Sequence, residues 1–343
     1  MKELLTSRER FGLLVIDEPS DRCNIMPLIT SHAAKVKGIK LKNYYTSGKA
    51  MAQTQIAAIE SYGHDAISIF SEVGIIAEAM GSKFDYPDDD LPVLKIPALA
   101  DTSVDDLKIP DTQKDGRLNV YLEAIEYAYD ALGDKVPILA YIPAPFTTAM
   151  MLSDPNHFLI QILREPENIK KIMEKSLQAA IEFSYDIIDA GGLPILVDPL
   201  ASASVISPKM YKEFALPYER RLIDFLHRYD LDIILHICGN TVPILDLLLE
   251  TNADLISIDH ASLDLVNQRL SNKMRIVGNY DTSKLLFSSK EDIAKEVKDM
   301  VKLGMQAKKG YIASTGCEVP FRAPQENVKA FIKAAKAAAT IEN

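Results

Sequence analysis

Cysteine is scarce in this chain, with three among 343 residues: Cys23, Cys238 and Cys317. An odd, sparse set offers no disulfide framework and suits a reducing compartment, so each thiol has to serve as core, ligand or nucleophile. Basic residues are outnumbered, 38 against 48 acidic, and the resulting net charge of −10 repels phosphate backbones and anionic membrane surfaces. We expect neither nucleic acid nor membrane as a partner. Long apolar runs are also lacking. The first ten residues hold no run of signal-peptide type, and later apolar stretches are broken by Pro, Asp or His well short of a bilayer span. These absences lead us to expect a cytoplasmic protein. No internal repeat, low-complexity tract or linker rich in Gly or Ser is visible. What is present is 48% hydrophobic and 25% charged residues, enough apolar surface for a core and no case for wholesale disorder. The length suits either two domains or one α/β barrel.

Short β-branched or apolar runs occur at Cys23–Leu28, Ala66–Phe70, Val136–Tyr141, Leu193–Val197, Asp232–Ile237, Asp254–Asp259, Arg275–Gly278 and Tyr311–Ser314. They are nearly unbroken rather than alternating, as expected for parallel strands covered on both faces. Between them lie segments of helical periodicity, including Asn168–Asp189, Pro208–Tyr229, Lys290–Leu303 and Pro324–Ile341. Eight strands alternating with helices predict a (β/α)8 TIM barrel, class α/β, more than a doubly wound sheet. Two additions interrupt the rhythm. Thr6–Val15 reads as an N-terminal amphipathic helix, and residues from Ser82 to Gly116 form a long acidic insertion after the second strand. Excursions of that size are often lids or binding loops, although a run such as Asp88–Asp90 also fits a solvated surface.

Chemistry in a barrel sits where strands end and βα loops begin. The polar residues at those points are Thr30, Ser31 and His32; Ser71 and Glu72; Tyr141; Asp198; His236 and Cys238; Asp259 and His260; Asn279 and Asp281; and Cys317. The sharpest signal is Leu235-His236-Ile237-Cys238-Gly239-Asn240. Residues two apart on a strand share a face, so His236 and Cys238 can reach a common point near the barrel axis. A His-x-Cys pair alone is weak, because strand histidines and cysteines are more often core residues. Cys317, just past the last strand, supplies a third donor. One His and two Cys leave a tetrahedral zinc with an open fourth position, the pattern of a catalytic site.

At these residues the sequence resembles the uroporphyrinogen decarboxylase superfamily and, within it, the zinc-dependent, corrinoid-linked methyltransferases of the methylcobalamin:coenzyme M type. Leu235–Asn240 resembles that branch's zinc motif. Gly316-Cys317 with Pro320 and Pro324–Ala330 resembles its C-terminal motif, and Val277–Tyr280, Asp198–Ala201 and Glu78–Gly81 are similarities shared more widely. The resemblance implies a single barrel domain over 1–343. It also implies a zinc ion held by His236, Cys238 and Cys317, and a methyl group exchanged between cobalamin on a corrinoid partner protein and a small molecule, either a methyl donor or a thiol acceptor such as coenzyme M.

Departures from the decarboxylase pattern matter equally. Decarboxylases of this family carry an Arg-Gln-Ala-Gly-Arg stretch after the first strand, where this chain has Pro27-Leu-Ile-Thr-Ser-His-Ala-Ala34, and Gly-Cys317 stands in place of Gly-His. One decarboxylase-like feature remains: Phe70-Ser-Glu72 resembles the segment bearing that family's functional acid, with Glu for Asp. Glu72 is thus a candidate fourth ligand or general acid, while Asp198 and Asn279 are candidates for orienting substrate or ligands. Tetrapyrrole decarboxylation is the alternative activity, and passive corrinoid or metal binding the alternative without catalysis. The chain has no Asp-x-His-x-x-Gly segment of the base-off corrinoid kind, so cobalamin is expected on another protein.

Overall fold

The computed structural model describes residues 4–339. Among these, ten strands occur in chain order: β1 (Asn24–Ile25), β2 (Ile67–Ile69), β3 (Lys83–Asp85), β4 (Val93–Ile96), β5 (Ile138–Pro143), β6 (Leu193–Val197), β7 (Ile234–His236), β8 (Leu255–Ser257), β9 (Arg275–Tyr280) and β10 (Tyr311–Thr315). Eight form one parallel sheet in the order β1-β10-β9-β8-β7-β6-β5-β2, matching the eight runs expected from sequence. Helices lie between them, giving a TIM-barrel-like fold.

The end strands β1 and β2 meet through Asp65. Its backbone N–H donates to the Ile25 carbonyl at 2.8 Å, and its carboxylate Oδ2 accepts from the Ile25 N–H at 2.7 Å. Arg22 donates to both oxygens of the same carboxylate, at 2.6 and 2.9 Å, and Arg10 lies 3.3 Å from it. Burial opposes ionisation of Asp65, yet Arg22 and the Ile25 amide outweigh it and hold the carboxyl below its ordinary value. The helix Ser7–Val15 closes the same end of the barrel. Thr6 and Glu9 cap it reciprocally, and Phe11 and Leu14 pack against the residues that fill the barrel.

The barrel interior is built from every second strand residue, as the pleat dictates. Ile195 and Val197, Ile234, Leu255, Val277 and Ile312 belong to one buried cluster with Leu139 and Tyr141. In the parallel register Val197, His236, Ser257 and Val277 lie side by side. His236, two residues after Ile234, therefore faces the lumen one layer nearer the mouth.

Two elements differ from the sequence expectation. The acidic insertion contains the antiparallel hairpin β3–β4, whose strands are short and largely exposed and so leave little hydrophobic signal. The segment expected as one helix over 208–229 is broken into Pro208–Met210, a π-helical turn at Tyr211–Ala215, Leu216–Leu226 and a 3-10 turn at His227–Tyr229. Pro217 lacks the N–H that would continue an α-helical ladder, and a widened turn absorbs the defect. The helix expected over Pro324–Ile341 is seen at Gln325–Ala339, its last two residues lying outside the described part.

Two consequences can be measured. Asp65→Ala removes a carboxylate shared by two buried guanidiniums and should cost about 3–5 kcal/mol of stability in denaturant unfolding. His32 and His64 are buried, and burial lowers their pKa values to about 4 and about 3. The unfolded chain takes up protons at both near 6.5, so stability is retained above that pH and falls as pH drops below it, by about 1.4 kcal/mol per pH unit for each histidine. Neither ring nitrogen of His64 has a hydrogen bond. Its replacement in His64→Leu should flatten the melting temperature profile between about pH 6.5 and 4.

Candidate metal centre at the barrel mouth

His236 closes β7, Cys238 follows two residues later, and Cys317 follows β10. One ligand atom from each lies within 4.8 Å of the others. A tetrahedral zinc with bonds near 2.0 Å to nitrogen and 2.3 Å to sulfur spaces its ligand atoms by about 3.3–3.8 Å, so a small inward adjustment suffices and the donor set fits zinc. His236 is 5% exposed, and its Nδ1 sits 2.9 Å from Ser257 Oγ, leaving Nε2 for a ligand. A hydrogen bond between the two sulfurs holds Cys238 below the ordinary thiol value and, with burial, pushes Cys317 above it. Two sulfurs sharing one proton in this way are placed to share a cation instead.

The loops bearing the two cysteines are held by Asp259. Its Oδ2 accepts from the Gly239 N–H at 2.8 Å, and a Cβ at Gly316 would come within 2.6 Å of its Oδ1. Gly239 itself has φ +73°, a left-handed conformation that favours glycine.

A carboxylate network lies beside the cysteines. Glu318 accepts from the Thr30 hydroxyl, and Glu72 accepts from the Ser71 hydroxyl and from Arg117 Nη2 at 2.8 Å. Arg117 also pairs with Glu78 at 3.0 Å, donates to the Tyr45 carbonyl at 2.7 Å, and lies 4.2 Å over the ring of Tyr86 in the insertion. Burial pushes the Glu72 carboxyl above its ordinary value; Arg117 and Ser71 pull it back and Glu78 raises it further. Burial likewise raises Glu318, against the Thr30 hydrogen bond.

The other expected residues are placed differently. Asp198 is fully buried, its Oδ1 accepting from Thr147 N–H at 2.8 Å and Thr147 Oγ1 at 2.6 Å, so it anchors the start of the helix Pro145–Leu152. Burial raises its carboxyl and that of neighbouring Glu219, which accepts from Tyr211 Oη at 2.5 Å. The amide of Asn279 donates to the carbonyls of Asp259 and Ala261, which ties the β8 and β9 ends together. His32 is enclosed between Pro320 and Tyr62, Tyr141 is barrel wall, and the half-buried Cys23 has its thiol pushed up to about 12 by desolvation. Arg117, Tyr86 and Ser257 were not anticipated. Ser257 was legible, since it lies two residues before Asp259 on the same strand face; Tyr86 sits inside the acidic insertion and Arg117 directly after it, with no motif around either.

The uroporphyrinogen decarboxylase (URO-D) family matches residues 6–338. The chain belongs to this family. Among its relatives, a methylated-thiol:coenzyme M methyltransferase of Methanosarcina mazei is 28% identical over 291 residues, covering 84% of this chain and 77% of that protein. A methylcobamide:CoM methyltransferase of Methanosarcina acetivorans is 24% identical over 345 residues, covering 96% and 98%. A solved structure described as a methyltransferase from Methanosarcina mazei superposes with a TM-score of 0.89 at 22% identity, over 97% of this chain and 99% of that one, a likeness of fold. The URO-D barrel therefore carries here a His, Cys, Cys cluster at its mouth.

Added Co2+ should give the near-ultraviolet and visible bands of thiolate coordination, absent from Cys317→Ser. Ser257→Ala, which frees the imidazole to turn, should weaken metal affinity by roughly 10–100-fold.

Proposed function

We propose that this chain is a zinc-dependent methyltransferase that passes a methyl group between a corrinoid protein and a small methyl donor or thiol acceptor, the whole chain serving as one barrel domain. Its methyltransferase activity rests on the relatives named above, which carry that activity in their names over most of the chain. The zinc reading rests on one observation, the convergence of His236, Cys238 and Cys317.

Zinc bound there supplies Lewis acidity, holding a thiol as thiolate or polarising an ether oxygen. Ser257 fixes the imidazole of His236 through Nδ1 and so selects the tautomer that presents Nε2. Glu72, with its carboxyl raised by burial and oriented by Arg117, holds or delivers a proton at the substrate heteroatom. Asp198 and Asn279 act by position: one fixes the helix after β5 and the other joins the strand ends that carry Asp259 and the cysteine loops.

The decarboxylase alternative has in its favour the acid at Glu72 and relatives named uroporphyrinogen decarboxylase, 27–28% identical over 80% of the chain. Against it, residues 27–34 bring no arginine to the mouth for a substrate with many carboxylates.

The test measures metal content and methyl exchange together. Protein purified without chelator should hold about one zinc per chain and move a methyl group between methylcobalamin and a thiol. Cys317→Ala should lose the metal and at least about 100-fold of the rate. Exchange that persists after complete zinc removal overturns the reading, and conversion of uroporphyrinogen by metal-free protein installs the alternative.

A further inference from the structure

We propose that Tyr86 is a positioning residue of this mouth: from the β3–β4 hairpin it holds the Arg117 guanidinium against Glu72 and so fixes that acid in place. The inference rests on the methyltransferase reading above, in which Glu72 holds or delivers a proton at the substrate heteroatom.

Exposure alternates along β3. Lys83 and Asp85 face solvent, whereas Phe84 and, one residue past the strand, Tyr86 are half-buried and share the opposite face. Both reach the loop Ser71-Glu72-Val73-Gly74 or its partners, and that loop follows β2 on the side of the barrel where strands end. A Cβ at Gly74 would fall 2.1 Å from Phe84 Cζ, so the bare glycine lets the ring lie directly on the loop backbone. The Tyr86 ring centre is 4.2 Å from the Arg117 guanidinium carbon, and its hydroxyl accepts from Arg117 Nη2. The hairpin thus grips both the loop that carries Glu72 and the cation that pairs with it.

Arg117 has a choice of carboxylates. Its Nη2 lies 2.8 Å from Glu72 Oε1 and 3.0 Å from Glu78 Oε2, while Nη1 donates to the Tyr45 carbonyl at 2.7 Å and to Ser71 Oγ at 2.8 Å. The ring stacked on the guanidinium and the hydroxyl at its edge restrict a long, rotamer-rich side chain to the one plane that meets both acids. Without them the cation is free to follow Glu78, the more exposed of the two, and Glu72 loses its counter-ion. Burial, which already raises the Glu72 carboxyl, would then be less opposed, because Arg117 is the largest influence lowering it. The neighbourhood of Glu72 extends to the cysteine loop through Glu318, which directly follows Cys317 and lines one cavity of about 490 Å³ with Glu72 and Phe84. Burial raises the Glu318 carboxyl, the Thr30 hydrogen bond and His236 lower it, and Glu72 raises it again.

The test is an infrared pH titration of zinc-loaded, full-length protein, with the protonated-carboxyl band of Glu72 assigned by its loss in Glu72→Gln. Tyr86→Ala should move the midpoint of that band upward by at least about one pH unit, as loss of a close opposite charge implies. Tyr86→Phe keeps the ring over the guanidinium and should move it less than half as far. Lys83→Ala, on the solvent face of β3, should leave it in place. The limb of the pH–rate profile for methyl exchange that disappears in Glu72→Gln should move with the band. If Tyr86→Ala does not fold, Tyr86→Leu, which fills the space without a π face or hydroxyl, should give the same upward shift. A midpoint that stays put in the folded variant, or that moves as far in Lys83→Ala, overturns this inference and leaves the methyltransferase reading standing. Absence of methyl exchange in the wild-type protein overturns that reading instead, and the infrared band still decides whether Tyr86 holds Arg117 on Glu72.

Discussion

The geometry of the mouth depends on closure of the sheet between its two end strands, and that closure rests on one residue. Asp65 satisfies both the N–H and the C=O of Ile25 where β1 and β2 meet, and it is held in the ionised state by Arg22 and Arg10. A buried carboxylate is costly by itself; here two guanidiniums and a backbone amide surround it, so the seam is specified by charge pairing rather than by a long ladder of strand hydrogen bonds. The β1 strand lies against β10, and Cys317 follows β10. The seam thereby reaches the metal cluster through a single neighbouring strand.

From that frame the cluster follows by register. The lumen-facing residues of β7 recur every second position, Ile234 then His236, and Cys238 continues the same line beyond the strand end. Ser257 occupies the matching layer on β8 and meets His236 through Nδ1. The side chain that orients the imidazole thus comes from the neighbouring strand at the same height, which requires no special loop.

Much of this was legible in the sequence, because the physics involved is periodic. Unbroken apolar runs reported strands buried on both faces, and strand ends reported the mouth; the His236, Cys238 and Cys317 set came from combining the two. What escaped is what lacks a period. The β3–β4 hairpin is short, exposed and acidic, so neither alternation nor hydrophobic run marks it. Arg117 acquires its meaning only when the insertion folds back to set Tyr86 against it and Glu72 beneath it. Asp198 illustrates the opposite case. Its position at a strand end suggested the mouth, but its carboxylate turns to Thr147 and is wholly enclosed.

Asp259 gives the two cysteine loops a common pivot. One oxygen binds the amide that follows Cys238, and the other rests against the glycine that precedes Cys317, where no Cβ fits. The separation of the sulfurs is consequently not an independent property of either loop. A side chain at position 316 would have to displace Asp259, and with it the acceptor of the Gly239 amide beside Cys238.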